Sequence, residues 1–159
     1  MAINAARMTD GWFSPLSKKD RICRLIKKAM AGRSTEERIR AITELGTSGD
    51  YGAVRSLIAC CQDQNPEIRH SAIVGLQNLR SGHAVGVLID LLRSKNELPE
   101  TRQHAAAALA AIRSYGAMQE LRIRFADMEE DSALRFFIGR ELDRVHIPVS
   151  TSLKPASSF

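Results

Sequence analysis

Aromatic residues make up only 5% of the 159 residues, with a single tryptophan and two tyrosines. A surface that stacks successive bases therefore lacks its usual material. Ten glycines and five prolines are too few for a collagen-like or low-complexity chain. Cysteine is scarce and odd in number: Cys23, Cys60 and Cys61. The adjacent pair would point about 100° apart on a helix and could not readily bond to each other. No C-x-x-C occurs and no Cys/His spacing fits a zinc site. Reduced, packed thiols of a cytosolic protein are the expectation. Nor does any window approach the roughly 18 apolar residues of a membrane span. Met1 to Leu16 lacks the charged-then-apolar order of a signal peptide. These absences leave a soluble, cytoplasmic protein as the expectation.

What is present is a 44% apolar, 26% charged chain of a size for one domain with a real core. Its formal charge of +5 is unevenly placed. Residues 1–44 hold ten basic residues against five acidic ones, and the rest of the chain is neutral. A solvated helix face that aids solubility is the simplest use of such an end. The sharper one is attraction of an acidic protein, a nucleic acid or an anionic surface.

Repeats decide the architecture. Segments starting at Glu67, Glu100 and Ala133 align in steps of 33: Arg69, Arg102 and Arg135; Ala72, Ala105 and Ile138; Leu76, Leu109 and Leu142. An earlier copy, Ser34 to Gly46, matches through Ile42 and Leu45, with Thr35 in the arginine column. Apolar spacings of three and four predict helices, over 18–31, 34–45, 51–62, 66–80, 83–93, 99–113, 116–127 and 131–145. Ser34-Thr-Glu-Glu37 reads as a capping box, and Asn65-Pro66-Glu67 as a capped helix start. Breaks at Gly46 to Gly49 and at Arg80 to Gly82 divide each arginine helix from a following one. On that division, 18–31 is the lone second helix of a truncated first repeat. The predicted fold is all-α: a short right-handed solenoid of helical hairpins, about eight helices in all. Residues 17–146 form it, 1–16 cap it, and 147–159 are a flexible tail. Trp12 and Phe13 would cover the first helix or anchor a partner.

Asn65-Pro-Glu-Ile-Arg-His-Ser-Ala-Ile-Val-Gly-Leu76, followed by Ala84-Val-Gly-Val-Leu-Ile-Asp-Leu-Leu92, resembles the HEAT-like repeats first associated with phycobilin lyases. The resemblance covers roughly residues 18–146. It implies a protein-binding scaffold more often than a nucleic-acid binder or an enzyme. It also implies an acid–arginine ladder, carried over here as Asp63 with Arg69 and Glu129 with Arg135. Ser94 stands where the acid before Arg102 is expected.

Chemistry-bearing constellations are sparse. The HEAT-fold iron enzyme that hydroxylates deoxyhypusine carries His-Glu pairs, and this chain has no such dipeptide. His70 follows its aligned arginine by one residue and His104 by two, so no ladder of histidine ligands is expected. No cofactor, metal or catalytic residue is predicted. Gly75 and Gly139 suit close helix approach, whereas Gly86 would leave room for a partner. With second helices lining the concave face, the expected partner-binding residues are Arg24, Lys27, Lys28, Arg55, Gln62, Gly86, Asp90, Arg93 and Gln119. The expected ligand is a protein segment of acidic or mixed charge. A nucleic acid on the basic end is the alternative, and a chromophore lyase or other enzyme comes third.

Overall fold

The computed structural model describes residues 17–145, which form eight α-helices and, among the described residues, no strand. They are α1 (Lys18–Ala31), α2 (Thr35–Thr47), α3 (Val54–Cys60), α4 (Pro66–Leu79), α5 (Val85–Arg93), α6 (Pro99–Ile112), α7 (Tyr115–Ala126) and α8 (Ser132–Arg144). Single 3-10 turns, Tyr51–Ala53 and Gly82–Ala84, lead into α3 and α5. Residues 1–16 and 146–159 lie outside the described residues, and with them Trp12, Phe13, His146 and the expected cap and tail.

Local chemistry sets the helix limits. Ser17, Ser34, Asn65, Ser114 and Asp131 each accept an amide N–H of the following first turn. Proline occupies the first turns of α4 and α6, where its missing N–H costs nothing. The Glu37 carboxylate reaches back to the Arg33 amide (3.0 Å), closing the predicted box. Arg80 and Arg113 end α4 and α6 in the left-handed region, at φ 49° and 58°. The predicted break at Gly46 to Gly49 begins later than expected, at Ser48, with Gly49 at φ 64°. α2 runs through Gly46, which is buried where the α2 and α4 backbones meet. A Cβ at residue 46 would overlap the Cα of Gly75.

The pairing of helices also corrects the expected phase. Contacts join α1 to α2, α3 to α4, α5 to α6 and α7 to α8 more extensively than they join α2 to α3, α4 to α5 or α6 to α7. Four hairpins are therefore complete, and α1 is the first helix of a pair rather than an orphaned second one. The arginine helices α2, α4, α6 and α8 are the second helices. They follow one another in direct contact, while α1, α3, α5 and α7 meet sparsely. The tighter layer therefore runs along α2, α4, α6 and α8. One core runs between the layers, with Ile42, Leu45, Leu57, Ile73, Leu76, Leu88, Leu109, Leu121 and Ile138 fully buried. Leu142, expected to match Leu76 and Leu109, is only half-buried, as no described helix follows α8.

Candidate functional site

Repeated arginines hold the hairpins together. Within a hairpin, Nε of the second helix's arginine donates to a carbonyl at the end of the first helix. Arg38 reaches Ala29 (2.9 Å), Arg102 reaches Leu92 (2.8 Å) and Arg135 reaches Phe125 (3.2 Å). A cation at a helix C-terminus satisfies an orphan carbonyl and suits the helix dipole. Nη2 then crosses to an acid in the next hairpin's loop: Arg38 to Asp63, Arg69 to Glu97 (2.8 Å) and Arg102 to Glu130 (2.7 Å). The last pair is almost wholly enclosed, with side chains 9% and 2% exposed. Burial alone would raise the carboxyl pKa of Asp63 and Glu130. The guanidinium and a backbone N–H on each, from Asn65 and Asp131, outweigh it and hold both carboxyls below their usual range.

The expected ladder is thus corrected in its partners. Arg69 donates to the main-chain carbonyls of Asp63 (2.9 Å) and Gln64 (3.0 Å), not to the Asp63 carboxylate. Glu129 is not the acid; its neighbour Glu130 is, and it serves Arg102 rather than Arg135. Ser94 does not interrupt the ladder, because Glu97 supplies the carboxylate. Arg38 is the arginine that the Thr35 column hid.

The predicted binding residues are exposed and stand on the sparsely contacting helices α1, α3, α5 and α7 or just beyond them. α1 turns Ile22, Leu25 and Ala29 into the core, leaving Arg24 and Lys27 outward. α3 buries Val54, Leu57 and Cys60, leaving Arg55 outward and Gln62 exposed just beyond it. Gly86, Asp90 and Gln119 are exposed on α5 and α7. This is the outer side of the loosely packed layer. Among the described residues, no carboxylate pairs with Arg24, Lys27 or Arg55, whereas Lys28 lies 3.7 Å from Glu37. Nothing stands within 4 Å of a Cβ built at Gly86.

Arg93 is already engaged. It forks onto buried Glu120 of α7, Nε to Oε1 at 2.8 Å and Nη2 to Oε2 at 2.6 Å. That fork, with Arg124 at 3.4 Å, holds the Glu120 carboxyl below its usual range. Arg124 also reaches Asp127 (3.2 Å) and Glu130 (3.7 Å), so the third and fourth hairpins share one ion network. Glu120, in a run of core positions on α7, was the readable sign of it: a buried carboxylate requires a partner.

On the tighter layer, His70 of α4 and His104 of α6 meet, although they stand at different positions of their repeats. Their rings pack edge to face with centroids 4.2 Å apart. Nδ1 of His104 lies 2.6 Å from the Glu100 carbonyl. Burial and then the neighbouring ring lower the His70 pKa. An open cavity of about 340 Å³ lies beside them, lined by Ile39, Pro66, Glu67, Leu98 and Glu100 among others. Cys60 and Cys61 are buried, and burial raises both thiols, Cys61 to about 12. Neither is a ready nucleophile.

The family model for HEAT repeats matches residues 23–110 and again 56–136, well over half of the sequence. The chain belongs to the HEAT-repeat family. That match is to HEAT repeats as such, and no curated protein matches the chain. Among solved structures, this HEAT stack resembles human deoxyhypusine hydroxylase in complex with glycerol, with a TM-score of 0.69 and 25% identity. The alignment covers 78% of this chain but only 43% of the hydroxylase, so the chain spans less than half of that enzyme. No helix of the described HEAT stack is long and apolar enough to cross a membrane.

Proposed function

We propose that this HEAT-repeat protein is a binding scaffold that takes an acidic protein segment on the outer face of α1 and α3. What supports the reading is that Arg24, Lys27 and Arg55 are exposed on the contacting helices α1 and α3, with no carboxylate partner among the described residues. Steps of three on α1 stack Arg24 and Lys27 on one side, and Arg55 extends the stripe onto the neighbouring helix. Three uncompensated cations raise the local potential and steer an acidic ligand inward. Asp90 and Gln119, further along the same side, would fix its direction by mixed polarity.

The likeness to the hydroxylase does not bring a reaction with it. It covers under half of that enzyme. The His-Glu pairs that resemblance to an iron enzyme would imply are missing: Ser71 follows His70, and Ala105 follows His104. Among the described residues, no group of three or more His, Cys, Asp or Glu is placed to hold a metal ion.

The test is binding of an acidic peptide ladder by the whole chain, followed by stopped-flow. Lys27→Glu with Arg55→Glu should slow association at least several-fold and leave dissociation nearly unchanged. Raising salt from about 50 to about 500 mM should do the same by shortening the Debye length. An affinity indifferent to both changes would overturn the reading. Tight duplex DNA binding with a steep salt slope would replace it with the nucleic-acid alternative.

A further inference from the structure

The starts of the four second helices correspond across the repeats: Ser34, Asn65, Leu98 and Asp131 precede α2, α4, α6 and α8. Ser34, Asn65 and Asp131 each accept a first-turn amide through the side chain. Leu98 has the non-helical angles of a cap, φ −59° and ψ 144°, but no side-chain acceptor. Pro99 brings no N–H, and the first bond of α6 runs from the Arg102 amide to the Leu98 carbonyl. The amides of Glu100 and Thr101 are thus left without an acceptor among the described residues.

The cavity of about 340 Å³ beside His70 lies at this uncapped end, with Leu98, Glu100 and Thr101 in its lining. Its apolar part is Ile39, Pro66 and Leu98, and Leu98 is 53% exposed. Thr101 is only 3% exposed, yet its hydroxyl makes no hydrogen bond among the described residues. A polar group so enclosed ordinarily has a partner. Glu67 and Glu100 stand on the rim, and neither pairs with a cation among the described residues.

We propose that this cavity takes a protein segment that carries one apolar side chain beside a lysine or arginine. The apolar side chain enters between Ile39, Pro66 and Leu98. A main-chain carbonyl beside it caps α6, and the Thr101 hydroxyl completes the contact. The positive end of a helix favours an acceptor oxygen, while Glu67 and Glu100 repel a full anion. A neutral carbonyl with a cation alongside meets both conditions. An open cavity near the lower limit of small-ligand pockets holds one side chain rather than a whole cofactor-sized molecule. The charge it selects is opposite to that sought by Arg24, Lys27 and Arg55, so the two sites are independent.

Peptide titration followed by NMR tests it, with the whole chain and a short blocked peptide holding one leucine between two lysines in a serine background. The ring protons of His70 and His104 and the amides of Glu100 and Thr101 should shift and saturate. His83, in the turn before α5, should not respond. Replacing the peptide's leucine by serine, or its lysines by glutamates, should abolish saturation. Leu98→Ser should raise the unfolding midpoint by restoring a cap, and should weaken binding at least several-fold. Thr101→Val should weaken binding about three- to ten-fold, the usual worth of one hydrogen bond, without lowering the midpoint. Glu67→Gln with Glu100→Gln should remove most of the salt dependence between about 50 and about 500 mM. Lys27→Glu with Arg55→Glu should leave this binding unchanged, whatever it does to the acidic ligand. Equal binding of the leucine-free or glutamate peptide would overturn the proposal, as would Leu98→Ser and Thr101→Val proteins that bind like the wild type. A Thr101→Val protein with a lowered midpoint would overturn it too, by showing that the hydroxyl already has a partner in the fold.

Discussion

The second helices and the first helices of this stack do different work. Along α2, α4, α6 and α8, backbones approach closely enough for Gly46 to rest on Gly75. Arg38, Arg69 and Arg102 there each tie one hairpin to the next. Along α1, α3, α5 and α7, contacts are sparse, and the outward residues include cations unpaired among the described residues and a glycine with open space around it. Stability is concentrated in one layer, which leaves the other layer's surface available for recognition. Arg93 apart, which forks onto Glu120, the outward residues of the open layer can change without loosening the stack.

That contrast breaks most directly at the enclosed clamp. Glu130→Ala removes the acid from Arg102 and leaves a buried charge uncompensated, which should cost about 3–5 kcal/mol in urea unfolding. Glu97→Ala opens a pair that is 16–17% exposed and should cost about 1–3 kcal/mol. Equal, small losses would mean the arginines are surface decoration.

A matched pair of substitutions sharpens the same difference. Gly46→Ala drives a methyl into the Gly75 backbone and should cost at least about 1–3 kcal/mol. Gly86→Ala meets nothing and improves helix propensity, so it should stabilise by up to about 1 kcal/mol. Reversed signs in a denaturation series would exchange the roles of the layers.

The smallest expected effect is in pH. Asp63, Glu120 and Glu130 have lowered pKa values in the fold, so their contribution is full above the unfolded carboxylate range. It is lost as pH falls through their folded values. His70 is also lowered, and a folded state that disfavours its proton loses stability as pH drops below about 6.5. The groups around it are His104, whose ring also disfavours the proton, and the carboxylates Glu67 and Glu100 on the rim of the same cavity. Unfolding midpoints should therefore fall in two stages, and His70→Gln should remove only the first. A single stage in the wild type would place the two rings apart in solution.

Much of the architecture was legible in the sequence, since apolar spacing, caps and the 33-residue step locate every described helix to within a few residues. Periodicity says which side of a helix is buried, but not which loop closes a hairpin or which way a stack bends. The expected phase of the hairpins was misread for that reason. Arg38 was missed because the first step is 31 residues, as Arg38, Ala41, Ile42 and Leu45 against Arg69, Ala72, Ile73 and Leu76 show. The ladder was misread because the nearest acid in sequence, Asp63 for Arg69, offers only its carbonyl. The partner carboxylate arrives one hairpin later. Sequence distance cannot reveal a bond whose purpose is to join neighbours.

The clamps also define what can be cut from this protein. Each joins an arginine to an acid 25 or 28 residues further on, and so always straddles a hairpin boundary. Trimming the chain after residue 114 would leave Arg102 with the Leu92 carbonyl alone, and trimming before residue 51 would strip Asp63 of Arg38. No truncation between hairpins leaves both products whole. A fragment or chimera built from this stack therefore needs its boundaries drawn from arginine to acid, with one hairpin overlapping the next, rather than from helix start to helix end.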